Sequence, residues 1–336
     1  MKMIPEKKVI PNNTYSVGPF KVFTYPTRLA AAWKADILEI NIPAYEIHRP
    51  EIEITIEKAS TISLGIKSRN LLRRIYKKMV QPIDMAEEYI LDARYDTDKN
   101  IAHILKNIAS GLLVAKNIPP KIKKVTVILR ADASTMAQKA YNILGFPTVC
   151  TDKNVQGKII KVPSGKNGEY EKFYEELFGK LAFEGYQQET PPRVFISRKG
   201  TRSLINQGEV EKTLEEYGFK KFYYEDIPIS EQWSITKNAK VIVGLHGAAL
   251  ASIVFNRNQV KLIELFHPGY VTHAYRHMTS AVGGSWCGVS GQITENVIRE
   301  LDFKHKARSF ASSPTQIDIK SLKMALDYLE ISGGDL

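Results

Sequence analysis

The chain has 336 residues, 43% hydrophobic and 25% charged, with 47 Lys+Arg against 36 Asp+Glu for a formal net charge of +11. A chain of that length supports about two domains and a sizeable core, which excludes a disordered polymer and a small stapled scaffold. Its two cysteines, Cys150 and Cys287, stand too far apart for a disulfide framework or a cysteine-rich zinc module and suit a reducing compartment.

The opening segment, MKMIPEKKVIPNN, holds two prolines and no apolar stretch, so it does not read as a signal peptide. No apolar run approaches the roughly 18 residues that cross a bilayer, and a cytoplasmic protein is expected. Residues 51–63 (EIEITIEKASTIS) alternate Ile with polar side chains, the period of a half-buried strand. Residues 71–80 and 84–91 read as short helices. Over 101–116 (IAHILKNIASGLLVAK) apolar residues recur at helical spacing, and Asp98 or Asn100 can cap the start. Residues 124–129 (KVTVIL) form a β-branched buried strand. A helix over 132–144 follows, stopped by Gly145 and Pro147, and then a strand over 148–150, giving a βαβ rhythm.

Gln156-Gly157 suggests a turn, 163–168 (PSGKNG) a connector, and 170–185 a helix carrying the chain between domains. The second half is clearer. Strands are expected at 193–197, 219–224, 240–245 and 260–266. Helices are expected at 207–217, at 230–238 with Ser230 as cap, and from Gly247 onward. Pro314 breaks the chain before an amphipathic helix over 317–329. Strands and helices alternating at this spacing predict a doubly wound parallel sheet with helices on both faces. The expected fold class is α/β, with two Rossmann-like domains facing across a cleft. An acceptor-side domain takes 1–180, a nucleotide-binding domain 181–312, and 313–336 crosses back to the first.

The positive charge attracts anions in general: nucleic acid, nucleotide phosphates or an anionic membrane face. Its clusters, such as Lys121-Lys123-Lys124 and Arg73-Arg74-Lys77-Lys78, are short and carry no nucleic-acid motif. In VIVGLHGAALAS (241–252) an apolar strand ends in Leu245-His246-Gly247-Ala248-Ala249 and a helix begins at once. Small residues there let backbone N–H groups approach an anion at a helix N-terminus. The pattern is not GxGxxG, which argues against NAD or FAD. In ISRKGTRSLIN (196–206), Arg198 and Arg202 stand four apart after a strand end, a spacing suited to a diphosphate. Glu264, inside the apolar run LIEL, needs a partner; ribose hydroxyls or a helix N-terminus would serve. Each has a plainer alternative. His246 could be a satisfied histidine beside a packing glycine, the arginines exposed loop residues, and Glu264 half of a buried salt bridge.

These three segments, in this order, resemble glycosyltransferase family 61. The family's arginine-bearing segment is met by Arg198, Arg202, Asn206 and Glu209. Its "EQ" helix is met by Glu231 and Gln232, and its "HGAGL" segment by His246, Gly247, Ala248, Ala249 and Leu250, with Ala249 in place of a glycine. Its strand-borne glutamate matches Glu264, and an upstream Asn-x-x-His matches Asn100 and His103. The resemblance is specific from about residue 191 to 270 and faint before 124.

It implies a GT-B-like fold, a nucleotide-sugar donor as substrate, inversion at the anomeric carbon, and neither cofactor nor essential metal. Arg198, Arg202, Asn206, His246, Gly247, Ala248, Ala249 and Glu264 are then the expected donor-binding residues. His103 is the expected base, since a histidine titrates near neutrality. Its alternative is a core position beside Ile101, Ile104, Leu105 and Ile108. Asp98 and Asp96 are the carboxylate alternatives. His267, His273 and His277 read as pocket lining or surface. The expected acceptor is a polysaccharide, as in capsule synthesis, or a lipid-linked glycan precursor. An anionic acceptor of that kind would bring a peripheral contact with the inner membrane face, and no nucleic acid is involved. The transferred sugar (hexose, pentose or N-acetylhexosamine) stays open, with a UDP-linked donor favoured. The rival readings are a nucleotide-binding oxidoreductase and a non-catalytic nucleic-acid-binding protein.

Overall fold

A computed structural model gives the fold and describes residues 6–24, 38–49, 51–61, 81–94, 98–117, 125–162, 177, 189–294, 297 and 312–333. The chain divides into two compact units, Met1–Thr14 with His48–Glu184 and Tyr15–Ile47 with Gly185–Leu336. The helices expected over 71–80 and 170–185, the connector over 163–168 and Asp96 lie outside the described residues, Leu177 apart. Among the described residues no helix is long and apolar enough to cross a membrane.

The first unit is built on six strands in the spatial order Glu6–Ile10, Ile52–Thr61, Val155–Lys161, Ile83–Asp92, Val125–Leu129, Thr148–Cys150. Ile52–Thr61 pairs antiparallel on both sides, and the neighbours beyond it are parallel. Val125–Leu129 is buried at every position, as a parallel strand covered on both faces should be. The helix Ile101–Asn117 buries Ile104, Leu105 and Ile108 almost completely, each contributing roughly 1.5–3 kcal/mol. Asn100, not Asp98, caps it, its Oδ1 accepting from the Ala102 N–H at 3.0 Å. Asp98 instead joins the next helix, Thr135–Ile143. It accepts from the Ser134 N–H at 2.7 Å and pairs with Arg130 at 2.6 Å.

Two expectations fail in this unit. The segment read as a helix over 84–91 is the strand Ile83–Asp92, paired on both edges; two flanking strands decide a segment whose own pattern is ambiguous. Gln156-Gly157 is not a turn but lies inside Val155–Lys161. There the register to the neighbouring strand shifts at Gly157. A Cβ at Gly157 would fall 2.4 Å from Ile90 Cδ1 and 2.8 Å from the Met85 carbonyl oxygen, so the glycine permits a bulge under close strand approach.

The second unit has a seven-stranded sheet in the order Lys220–Tyr223, Arg193–Ser197, Val241–Leu245, Lys261–Phe266, Ser285–Ser290, Phe20–Thr24, Leu38–Ile42. All neighbours are parallel except the last pair. The five strands after residue 190 therefore run 2-1-3-4-5, and the order reverses between Arg193–Ser197 and Val241–Leu245. In open α/β sheets that switch point opens a crevice at the carboxyl ends of the two strands. The final helix, Ile319–Tyr328, packs here: Leu322, Ala325 and Leu326 share a core with Phe23, Phe195, Val243 and Leu265.

Helix Ile229–Asn238 begins after Pro228, so Ser230 sits in its first turn rather than capping it. The helix expected from Gly247 is a 3₁₀ helix, Ala248–Phe255. It is tied to Ile229–Asn238 by the ring contact of Trp233 with Phe255 and by hydrogen bonds from Ser252 and Asn256 to Thr236. That tie fixes the helix whose N-terminus faces the switch point.

Candidate functional site

Strand Arg193–Ser197 delivers Arg198 and Arg202 to its carboxyl end, and strand Val241–Leu245 delivers His246 and Gly247 beside them. Arg202 Nη1 donates to the His246 carbonyl at 3.0 Å. A Cβ placed at Gly247 would lie 2.5 Å from Arg198 Nη1 and 3.6 Å from Arg202 Nη1, so both guanidinium groups converge over this one residue. Gly247 has extended backbone, φ 170, which any residue can adopt. Its missing side chain is what makes room.

The site is positive and wants an anion. Burial and the neighbouring Arg202 hold the Arg198 guanidinium below the usual arginine value. Its ion-pair partner among the described residues is Glu225, 3.7 Å from Nε. Among the described residues no acceptor takes the N–H groups of Gly247, Ala248 or Ala249; the first bond of the 3₁₀ helix runs from the Leu250 N–H to Gly247. Unpaired N–H groups at a helix start beside two guanidiniums make an anion cradle. Arg202 has a left-handed backbone, φ 62, which costs on the order of 1 kcal/mol for a non-glycine residue. The loop is held by a strap: the Arg202 N–H donates to Ser312, and Ile205 and Ser203 bond to Thr315.

Glu264 does not face this cradle. It is fully buried, and both carboxylate oxygens are taken: Oε1 lies 2.6 Å from His246 Nδ1, and Oε2 accepts from Trp286 Nε1 at 2.8 Å. The ribose role is corrected accordingly; Glu264 is the partner of His246, the buried pair that its setting in an apolar strand allows. Asn206 is corrected too. Its side chain clamps the backbone of Ile317, donating to the carbonyl at 2.7 Å and accepting from the N–H at 3.0 Å. Gln232 likewise donates to Tyr224 and Ile227 and closes the loop before its own helix.

Asp98 is 7% exposed. Burial raises its carboxyl pKa, but the Ser134 N–H and Arg130 outweigh that and hold it below the ordinary aspartate value. A carboxylate so occupied is a poor proton acceptor, so Asp98 serves as a structural tie. His103 is half-buried in the first turn of Ile101–Asn117, in the first unit. Sequence reasoning missed Trp286, which sits on a strand it did not read. It also missed Tyr270, whose ring lies 5.8 Å from the Arg202 guanidinium carbon and 5.4 Å from the His246 ring. Tyr270 ends the VKLIELFHPGY run and could have been found there. His267 lines the same crevice as Arg202, His246 and Tyr270, as expected, while the His277 ring meets Tyr45 edge-on and lies tilted against His273.

Compared with known proteins, residues 70–263 match the model of a family described as Glycosyltransferase 61. A 77-residue stretch is 31% identical to the EGF domain-specific O-linked N-acetylglucosamine transferase of Drosophila melanogaster. The match spans 22% of this chain and only 15% of that relative's length. Among solved structures, the iron-containing dodecameric heptosyltransferase TibC, in complex with ADP-D-beta-D-heptose, aligns over 79% of this chain and 76% of its own at 10% identity, with a TM-score of 0.33.

Proposed function

The chain belongs to glycosyltransferase family 61, and from that premise we propose that it transfers a sugar with inversion from a nucleotide-sugar donor, UDP-linked, to a hydroxyl of a polysaccharide or lipid-linked glycan precursor. The observation that carries this reading is the convergence of Arg198 and Arg202 over Gly247 at the switch point of a doubly wound sheet.

An inverting transfer is one displacement: the acceptor oxygen attacks the anomeric carbon while the nucleoside diphosphate departs from the opposite face. Charge grows on the leaving oxygens, and preorganised donors aimed there lower the barrier most. Arg198, Arg202 and the N–H groups of Gly247, Ala248 and Ala249 fill that role. They neutralise the diphosphate with fixed positive charge in a partly desolvated site. We assign the acceptor's proton to His103, a side chain whose chemistry suits a base at neutral pH. A GT-B arrangement belongs to the same proposal, supported by two units that each hold a mixed α/β sheet with a run of parallel strands. The +11 charge supports an anionic acceptor. The curated relative's name supports N-acetylglucosamine as the first sugar to try.

The test is incubation with UDP-, GDP- and ADP-sugars while nucleoside diphosphate release and the anomeric configuration of the product are followed by NMR. An α-linked donor giving a β-linked product supports the reading; retention, or no release from any donor by the wild type, overturns it. His103→Ala should abolish turnover while leaving nucleotide affinity unchanged; a variant that still turns over removes His103 from the mechanism.

A further inference from the structure

His246 precedes Gly247, its carbonyl accepts from Arg202, and its ring meets a carboxylate that no other role uses. Glu264 is fully buried, and a lone buried carboxylate costs several kcal/mol unless its oxygens are matched. A tryptophan N–H can only donate, so the Trp286 bond fixes Oε2 as an acceptor. Oε1, the other carboxylate oxygen, lies 2.6 Å from His246 Nδ1 and accepts when that nitrogen carries the proton. The imidazole is held in place as well: it stacks on Phe266, with centroids 5.4 Å apart and planes 20° apart, and meets the rings of Tyr270 and Tyr275.

With Nδ1 anchored, Nε2 points away from Glu264. Among the described residues nothing hydrogen-bonds Nε2, and the side chain keeps 11% exposure. The charged and titratable groups around the ring are Glu264 behind it, Arg202 on its own carbonyl, Arg198 over the adjoining glycine, His267 in the same crevice, and the phenols of Tyr270 and Tyr275. The two guanidiniums oppose a further positive charge on the imidazole, while a docked diphosphate and Glu264 favour it.

The geometry points to His246 as a proton-coupled contact of the donor diphosphate, with Glu264 as the positioning residue that anchors Nδ1–H. As the diphosphate docks, Nε2 takes one proton from solvent and donates it in a hydrogen bond to a phosphate oxygen. No covalent bond forms or breaks. This rests on the reading of the cradle as a nucleotide-sugar site and adds what that reading lacks, a pH-dependent affinity. The sign follows from linkage: the protonated imidazole binds better, so binding takes up a proton and, while the diphosphate stays fully ionised, affinity falls as pH rises, at most about tenfold per pH unit.

Calorimetric titration of UDP, GDP and ADP at about pH 8, where the terminal phosphate is already ionised, tests this when repeated in buffers of different ionisation enthalpy, which counts protons. The expected result is net uptake of a substantial fraction of one proton by the wild type and none by His246→Gln. Glu264→Gln, which keeps the shape and loses the charge, should take up less. Should Glu264→Gln fail to fold, the wild type and His246→Gln still decide. A merely structural histidine would weaken binding equally at every pH. Binding without proton uptake, or uptake unchanged in His246→Gln, overturns this inference alone. No binding of any nucleotide overturns the proposed function and this inference with it.

Discussion

Gly247 acts through what it lacks. Its φ of 170 is ordinary extended backbone, so an alanine there meets no backbone strain, but its methyl would stand 2.5 Å from Arg198 Nη1. That neighbour is the far end of a flexible side chain and can swing aside. Gly247→Ala is therefore expected to unfold within about 0.5 kcal/mol of the wild type, the usual range for a substitution without packing loss. It should lose about tenfold or more in nucleoside diphosphate affinity, since a hydrogen bond to a charged group is worth roughly 1.5–3 kcal/mol. Thermal unfolding and calorimetry on the same preparation separate the two effects. At this scale the sequence showed the arginine pair and the small residues after the strand, because both lie in one local run. It misassigned Glu264 and Asn206 because their partners, Trp286 and Ile317, come from distant segments. A buried carboxylate can be recognised from an apolar strand, but which group satisfies it is a tertiary fact.

Most elements in the second half were legible because strands such as Val241–Leu245 and Lys261–Phe266 are short apolar runs, whereas Ser285–Ser290, with a serine at each end and a glycine inside, has no such run and was missed. Elements in the first half were harder: Ile83–Asp92 is a strand only because two neighbours pair with it, and Gly157 marks a bulge that local sequence reads as a turn. Asp98 shows how such elements are joined. It ties Arg130 and the start of helix Thr135–Ile143 to the residues before helix Ile101–Asn117. Its carboxyl titrates lower in the folded chain than in the unfolded one, so its contribution is complete above the ordinary aspartate value and lost as pH falls through the folded value. Asp98→Asn should cost about 1–3 kcal/mol at pH 7. The gap between variant and wild type should close progressively below about pH 4. Urea unfolding at a series of pH values checks this, and a gap that stays constant into acid would remove the charge from the explanation.

At the scale of the whole chain, the α/β class and the number of units follow from length and alternation. The linear division at residue 180 does not anticipate that residues 15–47 join the later unit. Phe20–Thr24 enters that sheet by pairing in parallel with Ser285–Ser290, and no local pattern encodes a partner at the other end of the sequence. The final helix also packs in that unit, with Ile317 clamped by Asn206 and its strap bonded to the Arg202 loop. The C-terminal segment thus braces one of the two arginines on which the account depends. That dependence is tested most directly by the equilibrium affinity of UDP, GDP and ADP for the wild type and for Arg198→Ala, measured by calorimetry at about 0.15 M salt so that long-range surface attraction is screened. The expected result is that at least one nucleotide binds the wild type and that Arg198→Ala weakens it about tenfold or more with unfolding unchanged. Equal affinity in the two proteins, or no nucleotide bound by the wild type, would contradict it.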